Sequence, residues 1–257
     1  MSRIKKAFEN GKAFIGFLTA GDPNLDKTEE FVLKMVEGGA DLIEIGIPFS
    51  DPIAEGAVIQ DANIRALNAG TKVNKVFDTV KSIRSKTDVP LVFLTYLNPV
   101  FYYGYDAFLS KCRECGVDGI IIPDMPYEEK GEIVSIAEQY DVDIISMIAP
   151  TSEERIGMIA SKAEGFVYVV SSMGVTGVRS EIKTDLEAIV DIVKKNTDTP
   201  VAIGFGISTP EQAEHFSEFA DGVIVGSAIV KIIEKYGENS GAHLFEYVKS
   251  MKEAVIK

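Results

Sequence analysis

The sequence predicts a single (β/α)8 barrel, the TIM barrel, and three observations lead to this fold class. The chain has 257 residues, close to the ~250 that are typical of such barrels. Eight short, apolar, β-branched runs recur along it, and a turn and a segment of helical periodicity follow each run. No linker rich in Gly, Ser or Pro interrupts this alternation, so we expect one domain over residues 1–257 with extra short helices. An open, doubly wound sheet is the alternative architecture.

The predicted strands are near-continuous apolar runs, as parallel strands covered on both faces are. They cover residues 13–20, 41–48, 90–98, 119–124, 143–150, 165–172, 200–208 and 222–226. The predicted helices between them include residues 27–38, 73–85, 128–140, 185–195 and 211–219. Two helix starts carry capping-box signals, Thr151 with Glu154 and Thr209 with Gln212, the second with Pro210 at the first helical position.

Composition restricts the classes of ligand. With 39 acidic and 26 basic residues, the net charge is −13, which argues against nucleic acid and against an anionic membrane surface as partners. Neither a secretory h-region nor a run of about 18 apolar residues occurs, and a cytoplasmic enzyme is the simplest interpretation. Cys112 and Cys115 fall near the end of a predicted helix, where a thiolate is disfavoured. We therefore expect them to be structural, with His215 and His243 on the surface and no metal site.

A carboxylate inside the barrel is the first sign of chemistry. In the second strand, period two sends Ile43 and Ile45 toward the helices, and Glu44 and Gly46 into the barrel. Burial should raise the pKa of Glu44 toward a value useful for proton transfer. The loop that follows adds Asp51, Glu55 and Asp61, and two carboxyl groups in different environments can take separate acid and base roles. A structural ion pair and solvated loop acids are the alternative interpretations.

Three glycine-bearing segments follow the last three strands, at 174–177, 204–206 and 226–228. Glycine lets backbone N–H groups approach an anion, and Ser227 opens a short helix whose N-terminus would point at the same place. The loops after strands seven and eight form the usual phosphate site of such barrels. We therefore expect a small phosphorylated substrate, although each segment alone could be an ordinary strand-to-helix turn.

Several other chemistries are disfavoured. The segment "GFGIST" has Thr209 where a dinucleotide fingerprint needs its third glycine, and no Walker-type "GK[ST]" occurs. No histidine lies at a strand end for a Ser-His-Asp triad, and no lysine lies there for a Schiff base. Acid–base chemistry by carboxylates remains, with a possible hydroxyl contribution from Tyr168 on the sixth strand.

Five segments carry a resemblance to a known family. They are "FLTAGDP" (17–23), "IEIGIPFSDP" (43–52), "VYVVSSMGVTG" (167–177), "GFGIS" (204–208) and "GSAIVKIIE" (226–234). Over nearly its whole length the chain resembles the α subunit of tryptophan synthase. The resemblance implies a (β/α)8 barrel that cleaves indole-3-glycerol phosphate to indole and glyceraldehyde 3-phosphate. It also implies an αββα complex with a β subunit, and no cofactor in this chain, because pyridoxal phosphate is expected only in that partner.

The resemblance also implies roles for individual residues. Glu44 matches the general acid/base, Glu55 the second carboxylate, which stabilises positive charge at the indole N–H, and Tyr168 a tyrosine close to both. The other matching positions are Gly177, Gly206, Gly226 and Ser227 at the phosphate, Phe17, Ile59, Thr176 and Phe205 in the substrate pocket, and Asn98 with its neighbours facing the partner. Glu55 and Ala57 depart from the family, where Asp and Pro are common.

The residues alone give less than the resemblance. Uncharged candidate walls (Phe17, Ile59, Ile121, Ile148 and Phe205) permit an aromatic group but do not identify indole. A phosphosugar isomerase on the same scaffold is one alternative, because barrels with phosphate sites host many activities. A subunit whose main role is to bind and activate a partner is another, suggested by the altered loop.

Overall fold

The computed structural model describes residues 3–170 and 185–256. Eight parallel strands close into a barrel, each hydrogen-bonded to its neighbours in chain order. They are β1 (Ala13–Thr19), β2 (Leu42–Gly46), β3 (Leu91–Leu94), β4 (Gly119–Ile121), β5 (Asp143–Ile148), β6 (Glu164–Val170), β7 (Val201–Gly204) and β8 (Gly222–Val225). The pairing of β1 with β8 closes the sheet, which confirms the predicted fold class and excludes the open sheet.

Helices surround the barrel and include short extra ones. They are α1 (Arg3–Lys6), α2 (Leu25–Glu37), α3 (Ala57–Asn68), α4 (Val73–Arg84), α5 (Leu97–Tyr103), α6 (Tyr105–Cys115), α7 (Gly131–Ala137), α8 (Glu153–Ala160), α9 (Leu186–Asn196), α10 (Pro210–Ser217), α11 (Ser227–Tyr236) and α12 (Gly241–Val255). Short 3-10 turns occupy Tyr127–Glu129, Glu138–Tyr140 and Gly237–Asn239. In the described ranges, no helix has the length and apolar character needed to cross a bilayer.

The structure corrects two local predictions. The third predicted strand ends at Leu94, and its last two predicted residues, Leu97 and Asn98, instead begin α5. Pro99 sits in the first turn of α5, where its missing N–H is tolerated, so it does not prevent a helix. The α8 cap is Ser152 rather than Thr151, and its hydroxyl accepts from Arg155 N.

The predictions for the α10 cap, the cysteines and the histidines hold. The capping box at Thr209 and Gln212 is present. Cys112 and Cys115 are buried free thiols, and burial raises the pKa of each. His215 and His243 are exposed, and within 3–170 and 185–256 no three His, Cys, Asp or Glu side chains converge in a metal-binding group.

The core has two apolar layers separated by the barrel wall. Ile43 and Ile45 pack with the helices, whereas Leu42 packs inside the barrel, as period two predicts. The prediction that Ile148 faces the pocket is wrong, because Ile148 packs in the outer layer and Met147 points inward. The reason is that β5 is apolar on both faces, so hydrophobicity alone does not reveal which side faces in.

Candidate active site

A cleft opens at the carboxyl ends of the strands, where barrel enzymes place their active sites. Its empty volume is about 700 Å³, counting the part open to solvent. Its described lining comprises Phe17, Glu44, Ala54, Glu55, Ile59, Leu94, Pro123, Met147, Tyr168, Phe205, Gly206, Ile207, Ser208, Ile224, Gly226, Ser227 and Ala228. Glu44 and Glu55 are thus the only carboxylic acids, and no lysine or arginine occurs, among these described lining residues.

Glu44 lies at the floor of the cleft. It is 1% exposed, and its register places it between Phe17 of β1 and Val92 of β3. Desolvation raises its pKa to about 8, because burial penalises the charged form. Its Oε1 has no hydrogen-bond partner among the described residues. Glu44 therefore holds a proton at neutral pH and presents an oxygen that a ligand can engage.

Glu55 forms a second carboxyl in a different environment. It lies in the loop before α3 and is 7% exposed. Asn63 Nδ2 donates to Glu55 Oε2 at 2.7 Å, and the Tyr96 hydroxyl also hydrogen-bonds the carboxyl. Burial raises the pKa of Glu55 to about 7 and exceeds the lowering by these two hydrogen bonds. Two acids with different pKa values and different partners are the arrangement that divides acid and base roles.

Tyr168 lies on the inner face of β6, close enough to Glu44 for that charge to act on it. Burial, and secondarily the charge of Glu44, raises the pKa of the Tyr168 phenol well above its usual value. The Tyr168 ring can sit there because residue 204 is glycine: a Cβ at Gly204 would lie 2.6 Å from Tyr168 Cζ. The phenol therefore stays neutral and can donate a hydrogen bond.

Glycines and the start of a helix form another part of the cleft lining. Gly206 has φ +84 and Phe205 has φ +74, so this turn after β7 uses a left-handed conformation that glycine adopts freely. Gly226 precedes α11 and Ser227 is its first residue, with no side-chain cap on the N-terminus. The first N–H groups of a helix lack intrahelical partners and attract anions. Gly206, Gly226 and Ser227 all line the cleft, so their backbone N–H groups are candidates for holding an anion.

The apolar walls are close to those predicted. Phe17 and Ile59 are buried, and Phe205 meets the Tyr168 ring edge to face with a centroid separation of 6.0 Å. Glycine at position 46 lets the Phe17 ring approach, because a Cβ there would lie 2.8 Å from Phe17 Cζ. Pro123, two residues after the end of β4, lines the cleft, whereas Ile121 packs in the barrel interior.

Some predicted residues are not at the site or cannot be placed. Asp51 and Asp61 are exposed and are not part of the cleft lining. Thr176 and Gly177 lie outside the described residues. Sequence reasoning missed Asn63 and Tyr96, although a polar residue on the core-facing side of a helix, as Asn63 is on α3, was a readable signal.

The fold and the cleft together define a (β/α)8 barrel with two buried carboxyl groups in one cleft, an arrangement that suits acid–base chemistry. A family model described as tryptophan synthase alpha chain matches residues 3–256. The tryptophan synthase alpha chain of Lacticaseibacillus casei is 51% identical over 255 residues, which cover 99% of this chain and 96% of that one. The chain belongs to the tryptophan synthase alpha chain family, lyases that cleave indole-3-glycerol phosphate.

Solved structures agree with this assignment. The tryptophan synthase alpha chain of Legionella pneumophila subsp. pneumophila superimposes with a TM-score of 0.89 at 35% identity, covering 99% of this chain and 97% of that one. A chain from the tryptophan synthase complex of Pyrococcus furiosus gives a TM-score of 0.87 at 37% identity, covering 95% and 99%.

Proposed function

We propose that this chain cleaves indole-3-glycerol phosphate to indole and glyceraldehyde 3-phosphate with Glu44 as general acid and base. The observation that carries the proposal is the buried, inward-facing Glu44 carboxyl, whose pKa is raised to about 8 and whose Oε1 is free among the described residues. A catalytic acid works best when its pKa lies near the operating pH.

Glu44 alone can carry out both proton transfers of the reaction. Protonated Glu44 gives its proton to C3 of the indole ring, which breaks the conjugation of the five-membered ring. The resulting carboxylate takes the proton of the hydroxyl on the glycerol carbon attached to C3. The bond between that carbon and C3 then breaks, leaving indole and an aldehyde, and Glu44 is protonated again for the next cycle.

The other cleft residues take complementary roles. Positive charge develops on the indole nitrogen when C3 is protonated, and the Glu55 carboxylate opposes it. The neutral hydroxyl of Tyr168 donates a hydrogen bond near Glu44 while that group is ionised. The rings of Phe17 and Phe205 with Ile59 form apolar walls that suit the flat indole ring.

The phosphate is assigned to the part of the cleft lined by glycines and the start of α11. Gly206, Gly226 and Ser227 supply backbone N–H groups and the positive end of the α11 dipole, and Gly177 and Thr176 are proposed to complete the enclosure. No step of this mechanism needs a cofactor bound to the chain. We also propose that residues 1–257 form one domain and act in the cytoplasm.

A β subunit is the proposed partner, and pyridoxal phosphate belongs to that partner. A solved structure from Pyrococcus furiosus is described as a tryptophan synthase a2b2 complex, and its chain covers 95% of this one with a TM-score of 0.87. Ile53, in the loop after β2, is 72% exposed, and Phe101 and Tyr102, on α5 after β3, are 68% and 92% exposed. Large apolar side chains this open to water mark interaction surfaces, and we assign this one to the β subunit in an αββα complex.

Indole release from indole-3-glycerol phosphate tests the mechanism. We expect Glu44→Gln to lower turnover by at least ~100-fold, because general acid–base catalysis contributes ~10²–10⁴ in rate. Glu37→Gln, at an exposed position on α2, is the matched control and should retain native turnover. Native turnover in Glu44→Gln would overturn the role of Glu44, and isomerisation of a phosphosugar without indole release would favour the alternative enzyme.

A further inference from the structure

Asn63 is a buried amide in the middle of a helix, which is an unfavourable place for asparagine. It is 4% exposed and lies seven residues into α3. Asparagine competes with the helix backbone for hydrogen bonds, and burying an amide without a partner costs stability. The compensation lies outside the helix, because Asn63 Nδ2 donates to Glu55 Oε2 at 2.7 Å.

A second donor meets the same carboxyl from the barrel side. The Tyr96 hydroxyl oxygen accepts a hydrogen bond from Ala54 N at 3.2 Å, so its own hydrogen is available to the Glu55 carboxyl, with which it is hydrogen-bonded. An amide N–H₂ and a phenol O–H are both donors here, and donors to a carboxylate favour its ionised form. Asn63 and Tyr96 together therefore fix which way the Glu55 oxygens point.

The helix that carries Asn63 is itself tied to the barrel. Arg65 Nε and Nη2 donate to the two carboxylate oxygens of Asp22 at 2.9 and 2.8 Å, and Asp22 is 2% exposed. A bidentate arginine–carboxylate pair fixes both distance and orientation. Because Asp22 follows β1, the ion pair holds α3 against the barrel wall and so fixes the position of Asn63.

We propose that Asn63 is a positioning residue that acts through Glu55, holding its carboxylate ionised and turned for the indole N–H. The hydrogen bond from Asn63 matters more for this chain than for relatives with aspartate at this position, because the glutamate side chain has one more rotatable bond to restrain. The inference rests on the catalytic role proposed above for Glu55. It explains how a side chain one methylene longer than aspartate can still place its carboxylate correctly at position 55.

Two near-isosteric variants test the proposal. Asn63→Leu fills the same space without a donor, and Asn63→Asp places a carboxylate where the donor was. Ile64→Ala is the matched control, since Ile64 is the next residue on α3 and is 56% exposed. Native-like circular dichroism and unfolding transitions would show that the variants are folded.

The first readout does not depend on activity. The titration midpoint of the Glu55 δ-carboxyl is followed by carbon NMR, with Glu55→Gln used to assign the resonance. We expect the midpoint to rise by about one pH unit or more in Asn63→Leu and further in Asn63→Asp, and to stay unchanged in Ile64→Ala. In both Asn63 variants the acidic limb of the pH profile of kcat/KM should shift to higher pH together with the Glu55 midpoint, and kcat/KM at pH 7 should fall about tenfold.

Glu55→Gln in the lyase assay separates failure of this inference from failure of the proposed function. If Glu55→Gln is impaired while both Asn63 variants keep the native midpoint and native kcat/KM, the positioning role is overturned and the role of Glu55 stands. If Glu55→Gln turns over like the native chain, the catalytic assignment of Glu55 fails and the positioning role fails with it. A raised midpoint together with a shifted acidic limb supports the proposal.

Discussion

Replacing Glu44 with glutamine should remove the activity and also remove a pH-dependent loss of stability. The folded-state pKa of Glu44 is about 8, against an ordinary value of 4.5. Between these two values the unfolded chain ionises at this position and the folded chain does not. Stability therefore falls as pH rises through this window, since it falls wherever the folded state binds more protons than the unfolded state.

The magnitude follows from the pKa values. Within this window each pH unit changes the unfolding free energy of the native chain by about 1.4 kcal/mol. From pH 5 to pH 7 the native chain therefore loses about 3 kcal/mol of stability relative to Glu44→Gln. Any constant cost of burying the glutamine amide cancels in this comparison of two pH values. For a chain of this size the difference corresponds to a gain of about 6–12 °C in Tm for the variant at pH 7 relative to pH 5.

Urea unfolding of both chains at pH 5, 6, 7 and 8 measures the effect. The difference in unfolding free energy between Glu44→Gln and the native chain should grow from pH 5 to pH 7 and level off above pH 8. Glu37→Gln, which removes the exposed carboxyl of the Lys34–Glu37 pair, is the control for losing one negative charge outside the cleft. A difference that is constant with pH would refute the reasoning, because it would mean that Glu44 is ionised in the folded chain.

Three further outcomes follow from the site. Glu55→Asp should keep or raise indole release, because it restores the carboxylate length common in the family; a loss beyond about tenfold would show that the loop has adapted around glutamate. Ala57→Pro should stabilise the chain by about 0.4–1 kcal/mol in urea unfolding, since Ala57 is the first residue of α3, where proline fits; a destabilised variant would contradict this. In a lyase assay, Gly204→Ala should lower kcat at least tenfold, because the new methyl group would displace the Tyr168 ring. Gly131→Ala is the control, since a Cβ at Gly131 would meet nothing within 4 Å.

The barrel could be predicted from the sequence because its signal is repeated eight times. Each strand run is short, apolar and followed by a helix, so errors in single elements, such as the end of β3, did not change the topology. The inward direction of Glu44 was readable because Ile43 and Ile45 are its neighbours and the strand period is two. The same argument failed for Ile148, since β5 is apolar on both faces.

The parts of the site that could not be predicted are those made by tertiary contacts. Asn63 and Tyr96 meet Glu55 from a helix and from the end of a strand, and nothing in their spacing along the chain indicates this meeting. The close fit of Tyr168 over Gly204 is equally invisible before the strands are paired, because the two residues come from β6 and β7. Burial of Glu55 required the fold as well, since loop acids are usually solvated.

The part of the cleft at Gly206, Gly226 and Ser227 offers peptide groups where many anion sites offer charged side chains. Peptide N–H groups do not titrate, so the donors at Gly206, Gly226 and Ser227 stay the same across the range in which Glu44 and Glu55 change charge. Replacing the Ser227 side chain with alanine would leave its amide in place. Only a change that alters the backbone path would move these donors, for example a β-branched residue at Gly206, where φ is +84.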